Sequence, residues 1–384
     1  MASASCYRAS DLIIELRSTV RHVDEHPMTY LLKDILRQPQ ELRAALDYLC
    51  GDGRLALDKA ADAIRKARHV YLTGLGSSWH AGVNAQSLFH RGGSPVYAQD
   101  AAELLHFSGL PARSVLIVIS RSGRSAEIVK LITKAREADA IVVGVTNSME
   151  SPLAQSAQVA LVIPTVLDHG ISVNTYSTLA LAAGALACVA MGSFDLSLIA
   201  ALRRAIDETV AALATWRELV VGAHWLAPRS NYYFLARSSS LGSCQEARLL
   251  WEEAVKSPAT ALGMGNFRHG PQEVVAQGTR FGVWIDGQQM REPDLAVVRD
   301  LRRLGASVML IGQDLSMRGG DLVFQLPRIP PEWQFLIDII PAQLAAERLA
   351  QLTGVDCDCF RICPYIIEDE SGLLPPVVSP PTSQ

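Results

Sequence analysis

The stretch Val115-Leu116-Ile117-Val118-Ile119-Ser120-Arg121-Ser122-Gly123-Arg124-Ser125 decides how this chain is read. An unbroken apolar run rich in Val and Ile describes a strand covered on both faces, as in the middle of a parallel sheet. Directly after it come the hydroxyl-rich residues 120–125, and then Ile128, Leu131, Ile132 and Ala135 at the spacing of one helix face. A turn between a buried strand and a helix is a place to hold an anion. The first helical N–H groups lack partners, the helix dipole is positive there, and Ser hydroxyls add donors that rotate to suit an oxyanion. A turn capped by its own serines, with no ligand, fits the same residues.

On either side of this run, His69–Thr73, Ile141–Thr146 and Val159–Ile163 are further short apolar segments separated by helical patterns. That alternation predicts a doubly wound α/β unit, a parallel-sheet αβα sandwich of flavodoxin or Rossmann type. The order then returns. Tyr232–Ala236 is followed by Arg237-Ser238-Ser239-Ser240, as Val70–Thr73 is followed by Gly74-Leu75-Gly76-Ser77-Ser78. Arg280–Ile285, Ser307–Ile311 and Asp321–Leu326 match the later strands, and the endings at Pro164 and Pro327 rhyme. A helical tract over about Phe194–Ala223 bridges the copies, and an amphipathic helix over Pro331–Leu352 closes the second. The expected division is a helical lead-in over 1–55, a first unit over 56–195, a linking helix over 196–225, a second unit over 226–355 and a tail over 356–384.

A length of 384 residues suits two units, and 49% hydrophobic with 19% charged residues describes a packed globular chain. A net charge of -4 gives no reason to expect nucleic acid or an anionic membrane as partner. The longest apolar stretch, Leu179–Met191, is too short to span a bilayer and reads as a core helix. Met1–Cys6 lacks the basic start and apolar centre of a secretory signal, so a cytoplasmic location is expected. Seven cysteines without a disulfide-like framework suit a reducing compartment. Cys357, Cys359 and Cys363 cluster, but no His or second pair completes a zinc pattern, and no metal or cofactor is expected. The Pro-rich tail Glu368–Gln384 cannot bury a core and is expected to be extended or mobile.

Ligands of open parallel sheets bind beyond the carboxyl ends of the strands. Ser77 and Ser78 fall at one such end, and Ser120, Ser122 and Ser125 at another, so two loops are expected to converge on one anion.

These residues resemble the sugar isomerase (SIS) family over about Met28 to Arg361, in particular the tandem isomerase part of glutamine:fructose-6-phosphate amidotransferase and its deglycase relatives. Gly74–Ser78 looks like the first phosphate loop of that family, and Ser120–Ser125 like its Ser-Gln-Ser-Gly-Glu-Thr loop. The lead-in Lys33-Asp34-Ile35 with Gln38-Pro39 is similar too, and Thr175 falls where the family has a Ser on its Ser-Thr-Lys segment. In the second copy, Glu246 and Glu253 precede Asn266-Phe267-Arg268-His269-Gly270-Pro271 as the family's Glu precedes its His-Gly-Pro. The resemblance implies two tandem SIS domains and a sugar phosphate bound by Gly76, Ser77, Ser78, Ser120, Arg121, Ser122, Ser125, Val173 and Thr175. It further implies Glu253 as the base that moves a proton between neighbouring sugar carbons, and His269 as the ring-opening group. By the same likeness, His269 reaches the cavity of the neighbouring subunit of a homodimer. Glu246 and Tyr365 are further candidates.

Converting an aldose to a ketose passes through an enediol, which needs one base to remove a carbon-bound proton and return it next door. A partly desolvated carboxylate serves, because burial raises its pKa toward neutrality. Glu253 and His269 as a solvated carboxylate and a capping histidine is the alternative. The chain departs from the amidotransferase pattern in several places. No glutaminase part is expected, because Cys6 is not terminal, and Leu250, Glu252 and Tyr365 replace family lysines. Arg121 and Arg124 replace Gln and Glu in the phosphate loop, either to fork onto an anion or to point to solvent. The leading expectation is a phosphosugar aldose–ketose isomerase or a deglycase or deaminase. A non-catalytic sugar-phosphate sensor is a second, and a synthase half fed ammonia by a separate glutaminase a third.

Overall fold

The computed structural model describes residues 28–373. The expectations for Met1–Cys6, the start of the lead-in and the end of the Pro-rich tail lie outside the described residues.

Two helices, α1 (Tyr30–Cys50) and α2 (Arg54–Lys66), precede the first sheet. Its strands are β1 (Val70–Thr73), β2 (Tyr97–Ala98), β3 (Val115–Ile119), β4 (Ile141–Thr146) and β5 (Val159–Val162). Between them run α3 (Gly76–Arg91), α4 (Ala101–Phe107), α5 (Ala126–Glu137) and α6 (Pro152–Ser156). All pairings are parallel, in the order β2-β1-β3-β4-β5. The strand β3 is central and wholly buried, and its side chains alternate between two cores as strand geometry requires. Val115, Ile117 and Ile119 enter the large core, while Leu116 and Val118 meet Leu131, Ile132 and Ala135 of α5 on the other face.

The helix α7 (Asn174–Ala190) is buried at every position. It is hydrophobic all round because it lies in the interior of the molecule, where Gly184 lets Trp333 approach to 2.8 Å of where a Cβ would stand. The long α8 (Leu196–Val221) leads to the second sheet. There follow β6 (Tyr232–Ala236), α9 (Leu241–Glu253), β7 (Ala259–Gly263), α10 (Met264–Phe267), β8 (Arg280–Trp284), α11 (Arg291–Arg303), β9 (Ser307–Gly312) and β10 (Leu322–Gln325). Their order, β10-β9-β8-β6-β7, repeats that of the first sheet when β6 is matched to β1. The fold is α/β with two parallel five-stranded sheets. One hydrophobic core runs through both, from Leu72 and Ile117 to Phe234, Trp251 and Phe324. Among the described residues no helix is long and apolar enough to cross a membrane.

Two edge or flanking strands, β2 and β7, escape the sequence reading because they are short or carry small residues, and only pairing with β1 and β6 makes them strands. The expected helix over Pro331–Leu352 is broken. A 3-10 turn covers Pro331–Leu336, and α12 (Ile340–Thr353) starts afresh with Pro341 in its first turn. Proline lacks the N–H that an interior helical position would use, so the helix has to begin there.

The two units meet closely where α3 and α9 cross. A Cβ on Gly242 would lie 2.2 Å from Asn84 Oδ1 and 2.3 Å from the His80 carbonyl oxygen. Gly242→Ala is therefore expected to destabilise the fold by about 3 kcal/mol, the upper range for overpacking. Gly263→Ala, whose Cβ meets nothing within 4 Å, is the near-neutral control. Urea denaturation of the two variants measures the difference.

Candidate active site

A cavity of 280 Å³ opens beyond the carboxyl ends of β1 and β3, where the strand order of the first sheet reverses. Its floor is the two serine loops. Gly76 adopts φ 52, which glycine tolerates without strain, and starts α3 with Ser77 and Ser78 in its first turn. Ser78 Oγ accepts the Arg121 N–H at 3.2 Å and so ties one loop to the other. Within the second loop, Ser120 Oγ accepts the Gly123 N–H at 3.0 Å and Ser122 Oγ accepts the Arg124 N–H at 3.3 Å. Gly123 has φ 60, and a Cβ there would stand 2.4 Å from Ser151 Oγ, so the loop closes only around glycine. Ser125 precedes α5 without spending its hydroxyl on a capping bond, and that side chain lines the cavity.

The opposite wall comes from the second unit. Leu249 and Glu253 of α9 line the cavity that the serines floor. Burial pushes the Glu253 carboxyl up to about 7, with the nearby Glu246 adding to the effect and Arg121 and Lys256 opposing it. Glu246 itself is buried behind the wall, with His80 Nδ1 2.7 Å from its Oε2.

The roof is the segment after α12. Tyr365 O–H donates to the Asp168 carbonyl at 2.6 Å, and Arg121 donates to the Tyr365 carbonyl at 3.0 Å while its guanidinium lies 4.6 Å over the Tyr365 ring. The Ala126 N–H, at the start of α5, donates to the Ile367 carbonyl at 3.0 Å. Glu370 pairs with His106 at 2.8 Å and with Lys130, and Lys256 donates to the Cys359 carbonyl at 2.8 Å and to the Glu253 carbonyl. Of the Pro-rich tail expected over Glu368–Gln384, residues 368–373 are described, and Glu370 ties them to His106 and Lys130.

Gly76, Ser77, Ser78, Ser120, Arg121, Ser122, Ser125, Glu253 and Tyr365 line this one cavity. Other residues singled out in the sequence stand elsewhere. Val173 and Thr175 are fully buried and face Asp168, which accepts both backbone N–H groups at 3.0 Å and the Thr175 hydroxyl at 2.6 Å. They hold the start of α7 and, through the Asp168 carbonyl, the anchor of Tyr365; they do not reach the cavity. Tyr365 spends its hydroxyl on that anchor. Arg121 also donates to Ser172 Oγ at 3.1 Å and bridges loop and roof, whereas Arg124 is exposed, so neither alternative drawn for the pair describes both. His269 is exposed and outside the cavity of its own chain.

Three residues that matter here went unread in the sequence. His80, Asp168 and Lys256 carry no motif, and only tertiary contacts give them a partner in the site. His80 left one trace, as a polar residue on the Ala- and Gly-rich start of α3.

A carboxyl held near 7 rather than at the ordinary 4.5 binds its proton more tightly in the fold than in the unfolded chain. The stability this adds is complete below the ordinary value and is lost as pH rises through about 7. Glu253→Gln is expected to raise unfolding free energy by on the order of 2 kcal/mol above neutrality and to change little near pH 4. Thermal unfolding across pH checks the sign.

Residues 63–189, which hold most of the first sheet and both serine loops, match the family model of the SIS domain. A glutamine–fructose-6-phosphate aminotransferase (isomerizing) of Pyrococcus horikoshii is 27% identical over 342 residues, which are 86% of this chain and 56% of that protein. The chain spans about half the length of the curated relatives it matches. The C-terminal domain of glucosamine-fructose-6-phosphate aminotransferase from Francisella tularensis has the same fold, with a TM-score of 0.77 at 20% identity over 87% of this chain and 98% of that one. Glucosamine-6-phosphate deaminase from Thermotoga maritima follows at a TM-score of 0.74 and 21% identity, over 88% of this chain and 99% of that one. Residues 63–189, with most of the first sheet and its serine floor, thus match the SIS domain, and the chain as a whole has the fold of these solved structures.

Proposed function

We propose that the chain is an enzyme acting on a phosphosugar by enediol chemistry, as an aldose–ketose isomerase or a deglycase or deaminase. One observation carries this reading: a carboxyl poised at about 7, Glu253, faces the serine loops across a single small cavity. The phosphate lies on the Ser77–Ser78 and Ser120–Ser125 loops, where two helix N-termini and free-turning hydroxyls supply donors. To take the Ala126 N–H, it displaces the Ile367 carbonyl, so the roof lifts as the anion enters. Ionised Glu253 removes the proton from one sugar carbon and, now protonated, returns it to the next. Near neutrality the group is present in both forms, which suits a shuttle that must take and give.

The relatives whose names include isomerizing aminotransferase and deaminase support the substrate class. Amination from external ammonia has less support, since Leu250 and Tyr365 stand where the amidotransferase pattern has lysines. His269, exposed and outside the serine-floored cavity among the described residues, serves the cavity of a second subunit in a homodimer.

With hexose, hexosamine and fructosamine phosphates as substrates, wild-type turnover is expected to rise with pH through about 7. Glu253→Gln should lower kcat by about two to four orders of magnitude with little change in binding, and Ser125→Ala should weaken binding by about 1 kcal/mol or more. Assays for ketose formation and for released amine separate the isomerase from the deglycase. Ligand-induced thermal shifts that persist in Glu253→Gln, with no turnover by wild type on any of these compounds, would make the protein a sensor instead.

A further inference from the structure

The seam between the two units contains an acid–imidazole pair that the proposed reaction does not touch. His80 of α3 and Glu246 of α9 are 4% and 1% exposed, and their Nδ1 and Oε2 atoms stand 2.7 Å apart. Glu246 Oε1 is buried with no partner among the described residues. Burying such a carboxylate is expensive, and an apolar pair of similar volume would pack the seam at less cost. The position of the pair suggests what it does. Glu246 precedes Glu253 by seven residues on α9, two turns along the same helix face. Between them in sequence the one cation is Arg248, and its guanidinium is paired with Glu252 Oε2 at 2.7 Å.

We propose that His80 is a positioning residue for Glu253: it holds the Glu246 carboxylate in place at the seam, and that fixed charge sets the electric field at Glu253. The proposal rests on the reading of Glu253 as the base. The other charged or titratable groups around Glu253 are Glu252 and Lys256 on its own segment, Arg121 from the loop after β3 and Cys363 from the roof. Near Glu246 stand His80 from α3 and Tyr176 from α7, and Tyr176 also feels the buried Asp338. Of these, only His80 gives Glu246 a hydrogen bond among the described residues. Across the seam, a Cβ on Gly242 would stand 2.3 Å from the His80 carbonyl oxygen, so the backbone that carries the imidazole lies close against α9.

The experiment is a titration of the Glu253 carboxyl by carbon-13 NMR in full-length protein, paired with the pH profile of kcat/KM. Glu246→Gln removes a negative charge and is expected to lower the Glu253 midpoint by about half a pH unit or more. His80→Leu removes the hydrogen bond that fixes the Glu246 carboxyl, which is then free to turn away from Glu253, so the midpoint falls in the same direction. His80→Asn places an amide N–H near the Nδ1 position and is expected to restore the wild-type midpoint. In the Glu246→Gln background, His80→Leu should add nothing. An unmoved midpoint in Glu246→Gln overturns the proposal, as does an effect of His80→Leu that is equal in both backgrounds. Should His80→Leu fail to fold, the near-isosteric Glu246→Gln and His80→Asn decide alone. The NMR titration needs no turnover, so loss of the base reading and loss of this coupling give different results.

Discussion

Everything in the site depends on how closely α3 and α9 cross. Each five-stranded sheet folds around its own strands, yet the serine loops belong to one and Glu253 to the other. A glycine at position 242, where a methyl would strike the backbone of His80 at 2.3 Å, lets the helices meet without a side chain between them. A larger residue would spread the units and move the carboxyl away from the anion donors. Interiors packed as densely as crystals pass such a displacement on instead of absorbing it.

The cavity that results has opposite electrical ends. On the floor, helix N-termini and hydroxyls present partial positive charge without a committed cation, because Arg121 is spent on Ser172 and Tyr365. On the wall, burial and a second carboxylate hold Glu253 near 7. A ligand with an anion at one end and a carbon acid at the other fits that polarity. The arrangement costs stability, since a half-buried carboxyl is kept where water cannot fully solvate its charge, and the large shared core around α7 offsets it. Functional sites commonly carry such local penalties.

The roof shows a different economy. The segment from Cys357 to Leu373 has no regular structure and few buried side chains, and it is held by separate bonds to Asp168, Arg121, Ala126, Lys130 and His106. Bonds of this kind, at or near the surface, are individually weak. A roof so fastened can lift one contact at a time, which suits a cavity whose floor donors must be shared between the chain and a ligand.

Much of this was legible in the amino-acid order. The runs at 70–73, 115–119 and 141–146 are buried strands whose apolar content has no other use in a globular chain, and their recurrence at 232–236, 280–284 and 307–312 announced the duplication. The serine loops were readable because a strand, a glycine and a helix start are local features. The resemblance to a known family, rather than any pattern, singled out Glu253. Sequence alone could not place Val173 and Thr175 around Asp168, break the closing helix at Pro341, or turn Arg121 toward Tyr365, because each outcome is set by residues far along the chain. Local order determined which segments become strands and helices, since backbone propensity and side-chain period act over a few residues. Only the tertiary structure decided which loops share a cavity and how strongly Glu253 holds its proton, since burial and electrostatic fields belong to groups brought together from distant parts of the chain.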